Sequence, residues 1–192
     1  MLVLGSTSPR RAELLNQLRL DFEILRPNID ESPRQRETPK EYVSRMSNEK
    51  FHALQVGHNL AGGSVLLTAD TVVVQSDRIL GKPNSEAEGI EMLSNLSGEQ
   101  HLVLTSVTIG TSQQYNRQFV VETKVQFRRL TMKEVEAYWR TGEPEDKAGA
   151  YGIQGIGAVL VDWIEGSYSN VVGLPLTETA QILAEFEITT LG

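Results

Sequence analysis

The sequence predicts an α/β fold with an elongated, mixed β-sheet flanked by helices. Apolar runs typical of strands alternate along the 192 residues with segments of helical periodicity. Two long alternating runs, residues 101–110 and 118–130 joined by residues 111–117, predict a β-ribbon, which a purely parallel sheet does not contain. Because no repeat or composition shift marks a linker, we expect one domain over residues 1–192, with two lobes around a cleft.

The first 75 residues contain three predicted strands and two predicted helices. The strands are an apolar run at residues 2–5, an alternating segment at residues 21–25 and a long apolar segment at residues 64–74. Both helices start with a hydroxyl residue followed by proline, at Ser8-Pro9 and Thr38-Pro39. Such a residue caps the helix, and proline at the first helical position loses no helical hydrogen bond. The polar, proline-broken segment 27–39 is predicted to be a loop.

The remaining segments follow the same reasoning. Helices are predicted at residues 85–98, 131–142 and 176–187, where apolar residues recur at helical spacing. A further strand is predicted at residues 158–166. The glycine-rich segment 143–157 is expected to be irregular and the segment 167–175 to be a loop.

The composition excludes several classes of function. With 25 acidic and 18 basic residues the net charge is −7, which argues against sequence-independent binding to nucleic acid but allows a small basic pocket. The absence of cysteine excludes disulfides, thiolate metal sites and a cysteine nucleophile. No signal peptide and no apolar run of transmembrane length is present, so we expect a soluble cytoplasmic protein with no membrane partner.

The segment GSTSPRR, residues 5–11, follows the first strand and opens the first helix. Backbone N–H groups at a helix N-terminus point outward at an anion. Ser8 adds a hydroxyl donor, and the guanidinium groups of Arg10 and Arg11 grip phosphate oxygens in pairs. These features predict a polyphosphate site, although a capped surface helix with two solvated arginines has the same pattern.

Asp70 interrupts the apolar strand LLTADTVVV. Burying a carboxylate is costly unless it is paired, hydrogen-bonded or bound to a metal. We therefore predict that Asp70 is functional, either as a general base for water or as a ligand to a cation such as Mg²⁺. An aspartate that meets a backbone N–H or an arginine remains the structural alternative.

Three further charged residues and one amide extend the candidate site. Lys82 follows the turn that reverses the Asp70 strand, so the hairpin can return this lysine towards the aspartate. Lys50 is a second candidate phosphate contact and Glu31 a second metal carboxylate, although each is unexceptional alone. In the glycine-rich segment 146–155, Gln154 offers a donor and an acceptor to a nucleobase; the alternative is a flexible loop.

Taken together, these motifs resemble the Maf-like nucleoside triphosphate pyrophosphatases. The matching segments are STSPRR (6–11), DES (30–32), Lys50, ADT (69–71), GKP (81–83), DKAGAYGIQG (146–155) and SYSNVVGLP (167–175). Any one of these is weak, but the set occurs in the family's order across nearly the whole chain. The resemblance implies an α/β fold with a cleft between two lobes, similar to that of the inosine triphosphate pyrophosphatases.

The resemblance also implies an activity and a set of residue roles. Members of the family cleave a nucleoside triphosphate between its α and β phosphates with a divalent cation, Mg²⁺ or Mn²⁺. Asp70 would activate water, and Glu31 would help Asp70 to place the metal. The triphosphate would be held by Ser8, Arg10, Arg11, Lys50 and Lys82. Relatives are often dimers, which implies a homodimer.

The residues at three positions are similar to those of the family branch that acts on dTTP and UTP: Arg10, Thr71 and Gln154. This branch implies dTTP and UTP as substrates, together with modified forms such as 5-methyl-UTP and pseudo-UTP. The branch that acts on 7-methyl-GTP tends to carry tryptophan and glutamate at the first and last of these positions. An amide also suits the mixed imide edge of a pyrimidine, whereas a carboxylate only accepts. The alternatives are a 7-methyl-GTP pyrophosphatase and a non-catalytic nucleotide-binding regulator of cell division.

Overall fold

A computed structural model describes residues 1–58, 60, 62–111 and 116–190. Within these residues the strands are β1 (Leu2–Gly5), β2 (Phe22–Leu25), β3 (Val65–Gln75), β4 (Arg78–Leu80), β5 (Gln100–Thr111), β6 (Asn116–Phe127) and β7 (Val161–Glu165). The α-helices are α1 (Pro9–Gln17), α2 (Pro39–Gly57), α3 (Glu86–Leu96), α4 (Met132–Trp139), α5 (Tyr168–Val172) and α6 (Leu176–Ala184). Two 3-10 helices span Ala148–Ala150 and Gly155–Leu160.

The strands form one sheet of seven, and its mixed character is as the sequence predicts; β4 was not among the predicted strands. The order of the sheet is β2-β1-β3-β5-β6-β7, with β4 paired to β3. Strand β1 runs parallel to β2 and β3, whereas β4 is antiparallel to β3 and β7 is antiparallel to β6. The predicted ribbon is present because β5 and β6 are neighbours in the sheet. Within the segment 111–117 that was predicted to join them, positions 112–115 lie outside the described residues, while Thr111, Asn116 and Arg117 belong to the two strands.

The chain divides into two compact units, which agrees with the two predicted lobes. The first comprises Met1–Asp70, Thr105–Val121 and Gly173–Gly192, and the second comprises Thr71–Leu104 and Glu122–Val172. In the first unit, Val3, Phe51, Leu54 and Leu66 form a buried cluster between β1, β3 and α2. The second unit has a buried cluster of its own, contributed by its strands, by α3 and α4 and by the glycine-rich segment.

Helix starts agree with the sequence better than helix ends do. Thr38 begins α2 through a capping box in which its hydroxyl accepts from the Glu41 N–H and the Glu41 carboxylate accepts from the Thr38 N–H. Thr131 begins α4 through the equivalent box with Glu134. The prediction that this helix continues to residue 142 is wrong, because α4 ends at Trp139. The Thr141 hydroxyl donates to the Tyr138 carbonyl 2.7 Å away and helps to close the helix end.

Two further predictions near the C-terminus need correction. Strand β7 begins at Val161, since residues 158–160 belong to a 3-10 helix rather than to the strand. The predicted loop 167–175 contains the short helix α5. The Ser167 hydroxyl accepts a hydrogen bond of 3.2 Å from the Asn170 N–H, which is the contact of an N-cap residue. None of the helices in the described ranges is long and apolar enough to cross a lipid bilayer.

Candidate active site

The first part of the site is the turn between β1 and α1. Ser8 occupies the predicted N-cap position, but its side chain makes no capping hydrogen bond. Its N–H donates instead to the Ser6 hydroxyl at 3.1 Å. The first turn of α1 contains Arg10 and Arg11 and no acidic residue. Since the N-terminus of a helix already carries partial positive charge, this turn favours an anionic ligand.

The side chain of Arg11 donates hydrogen bonds to two groups of the same unit. Its Nε donates to the Gly173 carbonyl at 2.9 Å, and one terminal nitrogen donates to the Ser6 hydroxyl at 3.3 Å. Burial lowers the pKa of Arg11, as does the nearby charge of Arg10, whereas the carboxylates of Asp70 and Glu31 act in the opposite direction. The guanidinium therefore sits in the same electrostatic field as the two predicted carboxylates.

The two predicted carboxylates converge on a single ammonium group. The Lys50 Nζ lies 2.7 Å from Asp70 Oδ1 and 2.7 Å from Glu31 Oε1. Lys50 is 8% exposed, and the Asp70 side chain is 14% exposed, so this ion pair is largely shielded from water. Asp70 therefore has a charged partner at its position in the apolar strand, and that partner is Lys50.

Helix α2 also holds the loop that carries Glu31. The Tyr42 hydroxyl donates to the Glu31 carbonyl at 2.9 Å, and an Arg45 terminal nitrogen donates to the Ser32 carbonyl at 3.0 Å. Burial raises the pKa of Tyr42 to about 12, and the charges of Asp70 and Glu31 add to this shift. Tyr42 was not among the predicted site residues. It lies eight residues before Lys50, about two helical turns, and this spacing is the signal in the sequence that both side chains lie near the same face of α2.

The arrangement of Asp70 and Glu31 suits a divalent cation that is shared with a phosphate ligand. The Lys50 ammonium shows that both carboxylates reach one cationic group. In the part of the chain that the structure describes, no group of three or more acidic or histidine side chains forms a self-sufficient metal site. Mg²⁺ is commonly held by one or two carboxylates together with substrate phosphates, so the residues present fit such an ion.

The second unit contains the remaining predicted site residues. Thr71 directly follows Asp70 in β3. The predicted hairpin is present, with Val73 paired to Leu80, and the exposed Lys82 follows it. The Gly149 N–H donates to the Gly81 carbonyl at 3.0 Å, which joins the Lys82 loop to the glycine-rich segment.

Gln154 is half-buried in that segment and immediately precedes the 3-10 helix Gly155–Leu160. Beneath the segment, Tyr151 packs edge-on against Phe127 and His101, and its hydroxyl lies 2.8 Å from His101 Nε2. Burial lowers the pKa of His101 to about 4, so this imidazole is neutral at physiological pH. The segment that carries Gln154 therefore rests on a packed aromatic cluster.

Comparison with known proteins gives a consistent result over nearly the whole chain. Residues 1–186 match the family model described as Maf-like protein. A dTTP/UTP pyrophosphatase from Vibrio parahaemolyticus is 52% identical over 186 residues, covering 96% of each chain. A dTTP/UTP pyrophosphatase from Pseudoalteromonas atlantica is 48% identical over 189 residues, covering 98% of each. Among solved structures, a HAM1 protein from Coxiella burnetii shares the fold, with a TM-score of 0.54, 14% identity and coverage of 96% of this chain and 98% of that one.

Proposed function

This chain belongs to the Maf-like protein family, and we propose that it is a nucleoside triphosphate pyrophosphatase that hydrolyses dTTP and UTP. The observation that carries the proposal is the shared contact of Asp70 and Glu31 with the Lys50 ammonium, in the same charge field as Arg11. A proton acceptor, a second carboxylate and phosphate-binding cations thus occur together. The printed names of relatives that are 47–52% identical support the choice of substrates.

The triphosphate is held by the N-terminus of α1 with Ser8, Arg10 and Arg11, and by the lysines Lys50 and Lys82. Guanidinium groups bind phosphate oxygens through paired hydrogen bonds, while the ammonium groups act as point charges. Asp70 and Glu31 would hold a divalent cation, Mg²⁺ or Mn²⁺, which when bound would neutralise charge on the phosphates.

The reaction is a hydrolysis at the α-phosphorus. Asp70 accepts a proton from a water molecule, and the water oxygen forms a bond to the α-phosphorus. The bond from the α-phosphorus to the oxygen that bridges the α and β phosphates breaks, and that oxygen leaves with pyrophosphate. The cationic groups stabilise the negative charge that develops on the leaving group and on the phosphoryl oxygens. The products are the nucleoside monophosphate and pyrophosphate.

The proposed activity is tested by pyrophosphate release from dTTP, UTP, CTP, GTP and 7-methyl-GTP, with Mg²⁺ or Mn²⁺ and with chelator. We expect metal-dependent release that is fastest from dTTP and UTP. Preferential release from 7-methyl-GTP would assign the chain to the alternative substrate branch. Nucleotide binding without release from any substrate would favour the non-catalytic regulator.

Selectivity for the pyrimidine is assigned to Arg10, Thr71 and Gln154. In the double variant Arg10→Trp/Gln154→Glu, a carboxylate replaces the Gln154 amide and cannot donate a hydrogen bond to a pyrimidine carbonyl. We therefore expect the substrate preference to move from UTP towards 7-methyl-GTP. The measurement is the ratio of kcat/KM for UTP and 7-methyl-GTP, with Gln181→Glu on the exposed face of α6 as the control. A ratio equal to that of the unmodified protein would remove Arg10 and Gln154 from the selectivity assignment.

A further inference from the structure

We propose that Glu143 is a positioning residue for base recognition: its carboxylate anchors the turn that carries Gln154 and so sets the preference for pyrimidines. The inference rests on the role proposed above for Gln154. Glu143 was not among the site residues that the sequence pointed to, because it precedes the glycine-rich motif and has no distinguishing pattern of its own.

The carboxylate of Glu143 accepts hydrogen bonds from one end of the turn 152–157 directly, and is linked to the other end through the Tyr138 hydroxyl. Its Oε1 accepts from the Gly157 N–H at 2.9 Å, and its Oε2 accepts from the Ile156 N–H at 3.0 Å. Oε1 also accepts from the Tyr138 hydroxyl at 2.9 Å, and that hydroxyl accepts from the Gly152 N–H at 3.1 Å. Gln154 lies midway along the turn that these contacts close.

The backbone of the turn is shaped around this half-buried carboxylate. Gly155 has a φ of +66°, after which the N–H groups of Ile156 and Gly157 both point to the carboxylate, as in an anion-binding nest. A Cβ atom on Gly155 would lie 2.6 Å from Glu143 Oε2, and one on Gly157 would collide with the Gly152 carbonyl oxygen. The glycine spacing of this segment therefore accommodates the Glu143 carboxylate.

The carboxylate is held in its charged form. Burial acts to raise the pKa of Glu143, but the hydrogen bonds from Gly157, Tyr138 and Ile156 outweigh it, and the net effect is a lowered pKa. Lys147 adds to this effect with its charge, and its Nζ donates to the Glu143 carbonyl at 2.6 Å. Hydrogen bonds to an ionised acceptor are stronger than those between neutral groups, so the Glu143 carboxylate restrains the backbone of the turn strongly.

The position of the turn matters because the chemistry of an amide alone does not separate uracil from guanine. Both bases present a carbonyl beside a ring N–H, and one glutamine amide can pair with either edge. The two edges differ in their distance from the sugar, so the backbone position of Gln154 must discriminate between them. Loosening the anchor is therefore expected to reduce selectivity and raise KM more than it lowers kcat.

The test compares Glu143→Ala and Tyr138→Phe with Glu145→Gln, an exposed carboxylate two residues along the chain. For Glu143→Ala we expect the kcat/KM ratio of UTP to GTP to fall about 10-fold or more, chiefly through KM. Tyr138→Phe is expected to move the ratio in the same direction by less, and Glu145→Gln to leave it unchanged. Glu143→Gln keeps an oxygen acceptor and should recover part of the loss.

A second readout does not depend on turnover. Amide hydrogen exchange at Ile156 and Gly157 is expected to accelerate in Glu143→Ala and not in Glu145→Gln, and binding of UMP to weaken in parallel. Unchanged exchange, or an unchanged UTP to GTP ratio in a folded Glu143→Ala protein, would overturn the inference. If the unmodified protein releases no pyrophosphate from any nucleotide, the proposed function fails, while the exchange and UMP measurements still decide the role of Glu143.

Discussion

Replacing Asp70 with asparagine is expected to lower kcat for dTTP and UTP by about 10²- to 10⁴-fold, the usual contribution of a general base. The amide has the shape of the carboxylate but cannot take a proton from water at neutral pH. It is also a weaker ligand for a divalent cation. The fold should persist, because Lys50 keeps its ion pair with Glu31 and the amide oxygen can still accept from the ammonium.

The measurement is steady-state pyrophosphate release by Asp70→Asn, alongside its thermal unfolding midpoint. Asp162→Asn is a matched control, since Asp162 also lies in a strand, but its position in β7 is exposed. A folded Asp70→Asn protein that keeps most of its activity would remove Asp70 from the catalytic role. Asp70 would then be a structural partner of Lys50 alone.

Replacing Lys50 with methionine is expected to lower kcat/KM by about 10²-fold or more, the effect of removing one group that stabilises developing charge. The variant also leaves the carboxylates of Asp70 and Glu31 without the ammonium that they share. Their mutual repulsion should lower the thermal unfolding midpoint. Added Mg²⁺ should raise this midpoint more in Lys50→Met than in the unmodified protein, because the cation takes the place of the ammonium.

Lys40→Met is the matched control for this experiment, since Lys40 is an exposed lysine of the same helix. In the double variant Lys50→Met/Asp70→Asn the remaining carboxylate no longer faces a like charge. Part of the stability lost in Lys50→Met should therefore return, while activity stays low. Equal stabilisation of Lys50→Met and the unmodified protein by Mg²⁺ would argue against a cation site formed by these carboxylates.

The sequence by itself determined those features that depend on neighbouring residues. The start of α2 follows from Thr38, Pro39 and Glu41, whose side chains and backbone satisfy the first N–H groups of the helix locally. The β3–β4 hairpin follows from an apolar run and a turn within one short segment. The need of Asp70 for a partner also followed from its strand, because the cost of burying a lone carboxylate does not depend on which residue relieves it.

Only the tertiary structure decided which residues meet across the chain. Lys50 lies 20 residues before Asp70 in the sequence, and nothing local selects it over the other lysines. Arg11 reaches the Gly173 carbonyl across 162 positions, and Glu143 closes the Gln154 turn across 14. The contacts of Lys50 and Glu143 arise because α2 packs on β1 and because the glycine-rich backbone folds around a half-buried carboxylate. Both depend on the assembled core rather than on local propensity.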